Sequence, residues 1–105
     1  MTMKIDRSRS DQTVVITVKG EVDLYTSPDL RSAIMKAVRK AKAQVAVDLA
    51  GVEYMDSSGV ATLVEGFKSA HEQSKTFTLV APSDSVMKVL QLAKLDGIFE
   101  ISPAP

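Results

Sequence analysis

Apolar and polar positions alternate along Thr13-Val14-Val15-Ile16-Thr17-Val18-Lys19-Gly20, with Val14, Ile16 and Val18 on one side and Val15, Thr17 and Lys19 on the other. A period of two predicts a half-buried strand, ended by Gly20. Residues 3–8 predict an edge strand before it, joined through Arg9-Ser10-Asp11-Gln12. The period then changes. Leu30, Ile34, Val38 and Ala41 recur at helical spacing behind Thr26-Ser27-Pro28-Asp29, which offers a hydroxyl cap, a proline suited to the helix start and an acid in the first turn. Val45-Ala46-Val47-Asp48-Leu49 predicts the next strand, and Ala50-Gly51 a turn. Val52-Glu53-Tyr54-Met55 leads to Asp56-Ser57-Ser58-Gly59, and a second helix follows from Val60 on Val60, Leu63, Val64, Phe67, Ala70 and His71. Thr76-Phe77-Thr78-Leu79-Val80 predicts another strand. Pro82-Ser83-Asp84-Ser85 opens a third helix with Val86, Leu90 and Ala93 on one side. Gly97 ends that region, and Ile98, Phe99 and Ile101 remain to reach the core before Pro103.

Strands alternating with helices imply βαβ units with parallel strands and right-handed crossovers. The strands alternate apolar and polar residues, whereas a sheet covered on both faces has strands apolar throughout. The expected architecture is therefore α/β: a mixed, largely parallel sheet of four to five strands, with three or so helices mainly on one face.

Composition narrows the classes. The chain has 105 residues, 45% of them hydrophobic and 25% charged, which suits a single domain over 1–105 with its own core. Cysteine is absent, so neither disulfides nor cysteine zinc sites enter. Lys+Arg and Asp+Glu both number 13, and this balance lacks the basic excess of a nucleic-acid binder. Met1-Thr2-Met3-Lys4 runs into charged residues without an apolar leader core, and no apolar run approaches the roughly 20 residues of a membrane span. The expectation is a cytoplasmic protein without membrane insertion or direct nucleic-acid contact. Arg31, Lys36, Arg39, Lys40 and Lys42 on the polar side of the first helix read as a solvated face that complements the helix C-terminus. His71, the sole histidine, reads as the edge of a helix face, without the convergent partners that a metal site or triad needs. No phosphate-cradling glycine loop is present, and neither a cofactor nor a metal nor a catalytic residue is assigned.

The segment that carries chemistry is Asp56-Ser57-Ser58-Gly59, between an extended segment and a helix. A helix start leaves backbone N–H groups unpaired and carries partial positive charge, so a phosphate on a serine there gains donors. Gly59 removes a side chain where another molecule approaches closely. Plain helix capping accounts for the same tetrapeptide, since Asp and Ser are preferred caps and Gly is common in turns.

Gly20-Glu21-Val22-Asp23-Leu24-Tyr25-Thr26-Ser27-Pro28-Asp29-Leu30 resembles the first signature of the STAS family, which includes the bacterial anti-sigma factor antagonists. The stretch Val47-Asp48-Leu49-Ala50-Gly51-Val52-Glu53-Tyr54-Met55-Asp56-Ser57-Ser58-Gly59-Val60 resembles the second, and the likeness extends over about residues 4–101. In the antagonists the serine after the motif aspartate is phosphorylated by a partner that is both kinase and anti-sigma factor; that position here is Ser57. The resemblance implies that the unphosphorylated protein binds this anti-sigma factor serine kinase and frees a sigma factor. Phosphorylation breaks the complex, and a serine phosphatase restores it. Asp23, Thr26, Asp56, Ser58 and Gly59 match the signatures and are expected at the partner-binding surface. Many antagonists continue into a further C-terminal helix; this chain reads Ser102-Pro103-Ala104-Pro105 there, so the expectation rests on the central motif.

Two other functions fit parts of the same pattern. A STAS subunit of a lipid-transporting ATP-binding-cassette complex would dock Ser58-Gly59-Val60-Ala61-Thr62-Leu63-Val64-Glu65-Gly66 on a transport ATPase, with no phosphorylation required. A weak nucleotide hydrolase would use Asp23, and is disfavoured by the missing phosphate loop.

Overall fold

In the computed structural model, which describes residues 2–103, the alternating segments become two long antiparallel strands, β1 (Met3–Ser10) and β2 (Thr13–Val22). They are followed by α1 (Ser27–Lys40), β3 (Gln44–Met55), α2 (Ser57–Glu72), β4 (Thr76–Val80), α3 (Asp84–Leu92) and β5 (Glu100–Ser102). Met1 and the final Ala104-Pro105, read above as part of the leader-free start and the tail, lie outside the described residues. The five strands form one sheet in the order β1-β2-β3-β4-β5, in which β1 is antiparallel to β2 and the remaining pairs are parallel.

One apolar cluster joins the strands to all three helices. Val14, Ile16 and Val18 of β2, Val45, Val47 and Leu49 of β3, and Phe77 and Leu79 of β4 meet Leu30, Ile34 and Val38 of α1, Leu63 and Ala70 of α2, and Val86 and Leu90 of α3. The helical layer therefore covers one face of the sheet. The alternate strand residues form the open face, where Gln44 Nε2 donates to Thr78 Oγ1 (3.0 Å) and the Thr78 hydroxyl donates to Glu100 Oε1 (3.0 Å). The one-sided architecture expected from the period-two pattern is what the strands adopt, because one face alone can be made apolar.

Burial, rather than propensity, holds the helices in place. A fully buried Leu or Ile contributes about 1.5–3 kcal/mol over an exposed one, and Leu30, Ile34, Leu63 and Leu90 have no exposed surface. Helix propensities differ by only about 0.7 kcal/mol per ordinary residue. The helices also approach closely. A Cβ added at Gly66 would lie 2.6 Å from Ile34 Cγ2 and 2.9 Å from the Phe77 ring, so the glycine lets α2 seat against both α1 and β4. Lys75 Nζ donates to the Val38 carbonyl (2.6 Å) and satisfies an orphan acceptor at the α1 C-terminus.

Three boundaries depart from the sequence reading. β2 continues through Gly20 to Val22. Ala50-Gly51 is not a turn: β3 runs unbroken from Gln44 to Met55, and two register shifts against β2 absorb the change in which residues face inward. Buried positions consequently pass from Val45, Val47 and Leu49 to Val52 and Met55. α3 ends at Leu92, ahead of Gly97, and Lys94 takes the positive φ of 60°. The chain then returns as β5, parallel to β4.

Replacing Gly66 by Val should lower unfolding free energy by about 2 kcal/mol through overpacking, measured by urea denaturation; unchanged stability would contradict the close helix seating described here.

Candidate partner-binding site

The parallel β2–β3 ladder ends with Val22 opposite Met55, and the Asp56 N–H extends it by donating to the Val22 carbonyl (3.1 Å). The segments that leave these two strands are therefore neighbours at one end of the sheet. The first begins at Asp23 and the second at Asp56.

At the second, Asp56 is extended (φ −104°, ψ −170°) and caps α2. Its Oδ1 accepts from the Ser58 N–H (2.9 Å), the Gly59 N–H (3.4 Å) and the Ser58 hydroxyl. Ser58 is half-buried and its hydroxyl is engaged. Ser57 opens the helix with an exposed side chain, and among the described residues its hydroxyl makes no hydrogen bond. The pair of serines is thus resolved by geometry: Ser58 belongs to the cap, and Ser57 is the hydroxyl that another protein can reach.

Gly59 does not lie at the outer surface. It is buried, and a Cβ there would meet Met55 Cγ at 2.6 Å and Val22 Cγ1 at 2.8 Å. The close approach that this glycine permits is internal, between α2 and the ends of β2 and β3. Its contribution to any partner surface is indirect, through the placement of Ser57.

The first segment is braced by its own side chains. Asp23 Oδ1 accepts from the Tyr25 N–H (2.9 Å) and the Thr26 N–H (3.0 Å). Thr26 Oγ1 accepts from the Asp23 N–H (2.9 Å) and donates to the Glu21 carbonyl (2.9 Å). Thr26 precedes α1 but its side chain does not cap it, contrary to the hydroxyl cap expected from the sequence, because that oxygen is spent on the loop. The Thr26 N–H is the main reason that the Asp23 carboxyl sits below its ordinary value of 3.8; reduced hydration opposes the shift, and the Tyr25 N–H and Thr26 hydroxyl reinforce it. Asp23 is therefore a loop-bracing carboxylate, held charged.

The closed loop projects two apolar side chains into solvent: Leu24 is 68% exposed and Tyr25 87%, with Tyr54 of β3 51% exposed beside Met55. The sequence reading places Tyr54 in the segment that carries the site but assigns neither Leu24 nor Tyr25 to it. Leu24 and Tyr25 lie just outside an element, between β2 and α1, and their large apolar side chains were ambiguous until the structure showed them exposed.

The family model described as "Mlab, STAS domain" matches residues 5–101. The chain belongs to the STAS domain family. An anti-sigma-B factor antagonist of Listeria monocytogenes is 32% identical over 95 residues, spanning 90% of this chain and 83% of that protein. Among solved structures, an anti-sigma factor antagonist of Mycobacterium paratuberculosis superposes with a TM-score of 0.88 at 26% identity, over 98% of this chain and 87% of that one. The antagonist SpoIIAA in its unphosphorylated form shares the fold, with a TM-score of 0.79 at 24% identity over 94% and 88% of the two chains. In this STAS domain no helix among the described residues is long and apolar enough to cross a membrane.

Since Asp56 is the cap, Asp56→Ala should cost about 1 kcal/mol, while Ser57→Ala should stay within about 0.5 kcal/mol of wild type; chemical denaturation that reverses this order would reassign the cap. A carbon-detected NMR titration should place the Asp23 midpoint below that of an unfolded aspartate. Because the folded value is the lower one, the loop bracing is present above the unfolded value and is lost as pH falls through the folded one.

Proposed function

We propose that this domain is an anti-sigma factor antagonist, a binding switch operated at Ser57 rather than an enzyme. The observation that carries the reading is the exposed, unbonded Ser57 hydroxyl at the start of α2, beside a cap already completed by Asp56 and Ser58. The antagonist names of the Listeria relative and the mycobacterial neighbour support it, as does likeness in fold to SpoIIAA in its unphosphorylated and phosphorylated forms. Those names favour the switch over a STAS subunit docked on a transport ATPase.

The chemistry follows from the cap. In the unphosphorylated state a neutral hydroxyl stands at the end of the sheet where Leu24 and Tyr25 are also exposed, suited to an apolar, aromatic-anchored interface. The partner is an anti-sigma factor with serine kinase activity. Phosphorylation adds about −1.5 to −2 charges and three acceptor oxygens. Two of the helix-start donors, the Ser58 and Gly59 N–H groups, are taken by Asp56. The Asp56 carboxylate also repels the new charge. The phosphate is therefore directed outward, where a partner fitted to a neutral surface must desolvate it without compensation. A serine phosphatase that removes it restores binding. Asp23 and Thr26 act by holding the apolar loop in place, and Gly59 by seating α2.

Incubation with ATP and the cognate kinase should add one phosphate to wild type and none to Ser57→Ala. Ser57→Asp should weaken kinase binding tenfold or more, about 1.4 kcal/mol, in a titration that leaves the fold intact. Undiminished binding by Ser57→Asp would sink the switch, and copurification with a transport ATPase would put the docking role in its place.

A further inference from the structure

β1 is an edge strand. Its inner side pairs with β2, and among the described residues no backbone group outside that ladder bonds to it between Met3 and Ser10. On the helical side of the sheet a trough made of two adjoining hollows that share Arg7 lies between β1 and α1. One part, of about 460 Å³, is lined by Ile5, Asp6, Arg7 and the α1 residues Asp29, Ala33 and Lys36. The second, of about 150 Å³, adjoins it at Arg7 and lies between Arg9, Val14, Ala37 and Lys40. Ile5, Val14, Ala33 and Ala37 give this trough an apolar floor, and Arg7, Arg9, Lys36 and Lys40 give it cationic walls. Among the described residues the one ion pair, Arg31 with Glu65, lies outside it, so none of these four cations has an acidic partner within 4.0 Å.

We propose that the free edge of β1 and this trough form a second protein-binding site, which accepts an extended acidic segment of a partner as a strand added to that edge, with its helix-facing side chains reaching over β1 toward the trough. Three observations converge on that occupant. The unpaired edge supplies backbone donors and acceptors to any extended chain, whatever its sequence. The cations recur at the period of a strand: Arg7 and Arg9 are two residues apart on β1, a rise of about 6.8 Å, and Lys36 and Lys40 are one helical turn apart, about 6 Å. Acidic side chains at the alternate, helix-facing positions of an added strand stand beside Arg7 and Arg9 and reach toward Lys36 and Lys40. Charge complementarity then selects an acidic segment over a basic one. A long polyanion is disfavoured by Asp6 and Asp29 at one end of the trough and by the zero formal net charge of the chain. The basic residues Lys36 and Lys40, read from the sequence as a solvated face, acquire a role that their helix alone does not suggest. The site is distinct from Ser57 and does not rest on the proposed switch.

The test uses the full chain and a fluorescein-labelled peptide that alternates glutamate with valine or threonine. A second peptide has the same composition with its glutamates contiguous. Binding is read by fluorescence anisotropy, with amide chemical shifts recorded by NMR. The alternating peptide should bind more tightly than the contiguous one, weaken as salt rises and shift amides of β1 and the facing side of α1. Arg7→Glu combined with Arg9→Glu should weaken it by about tenfold or more, since two surface pairs turn from attractive to repulsive. Lys36→Glu combined with Lys40→Glu alters the other wall and should act in the same direction, so that misfolding of one variant does not decide the outcome. Ser57→Asp should leave peptide binding unchanged. Equal affinity for the two peptides, tighter binding of a single-stranded oligonucleotide, shifts confined to other elements, or concentration-dependent dimerisation through β1 would each overturn the proposal.

Discussion

The working end of this domain depends on one close approach, that of Gly59 to Val22 and Met55. The parallel ladder between β2 and β3 must run to its last pair for those two side chains to stand together. A helix can then cross directly over them only if the crossing residue lacks a side chain. With this contact made, Asp56 falls at the cap and Ser57 at the first exposed position of α2. A longer residue at 59 would displace the helix start, and with it the hydroxyl on which the proposed switch turns. Gly66, farther along the same helix, performs the corresponding task against Ile34 and Phe77. The two glycines hold α2 close to the sheet along its length.

The cap also divides labour between adjacent residues of similar chemistry. A helix N-terminus supplies donors that a carboxylate or a phosphate can use. Here the carboxylate already has them, and it holds the Ser58 hydroxyl as well. The cap is thus vested in Asp56 and Ser58, and the Ser57 hydroxyl takes no part in it. The neighbouring loop follows the same logic: Asp23 and Thr26 satisfy each other and the backbone, so that Leu24 and Tyr25 can stand in solvent on a fixed turn. Pre-formed loops lower the ordering cost of association, which is how residues that touch no partner still affect affinity.

Two surfaces of different character result. The end of the sheet near Ser57 presents exposed apolar side chains and an unbonded hydroxyl, and the switch proposed for it is electrostatic. The trough beside β1 presents unpaired cations over an apolar floor, with a free strand edge along one wall. In the two proposals the first surface is sensitive to added negative charge and the second is complementary to it. A domain of this size has room for both because its helices cover only one face of the sheet and its first strand is left at the margin.

Much of this was legible in the residues themselves. The period of two in β2 and β3 and the helical spacing after Thr26 and Asp56 determined which faces became apolar, and hence a one-sided α/β sheet, since burial of those faces outweighs local propensity. The Asp-Ser-Ser-Gly segment was likewise marked as a helix start with a candidate hydroxyl at residue 57. What the residues could not specify was the outcome of competitions between distant groups. Ala50-Gly51 reads as a turn until pairing with β2 carries the strand through it. Gly59 reads as an opening for a visitor until Val22 fills the space. Thr26 reads as a cap until Glu21 and Asp23 claim its hydroxyl. In each case the deciding partner is remote in sequence or lies on another element, and only the tertiary structure brings it within contact.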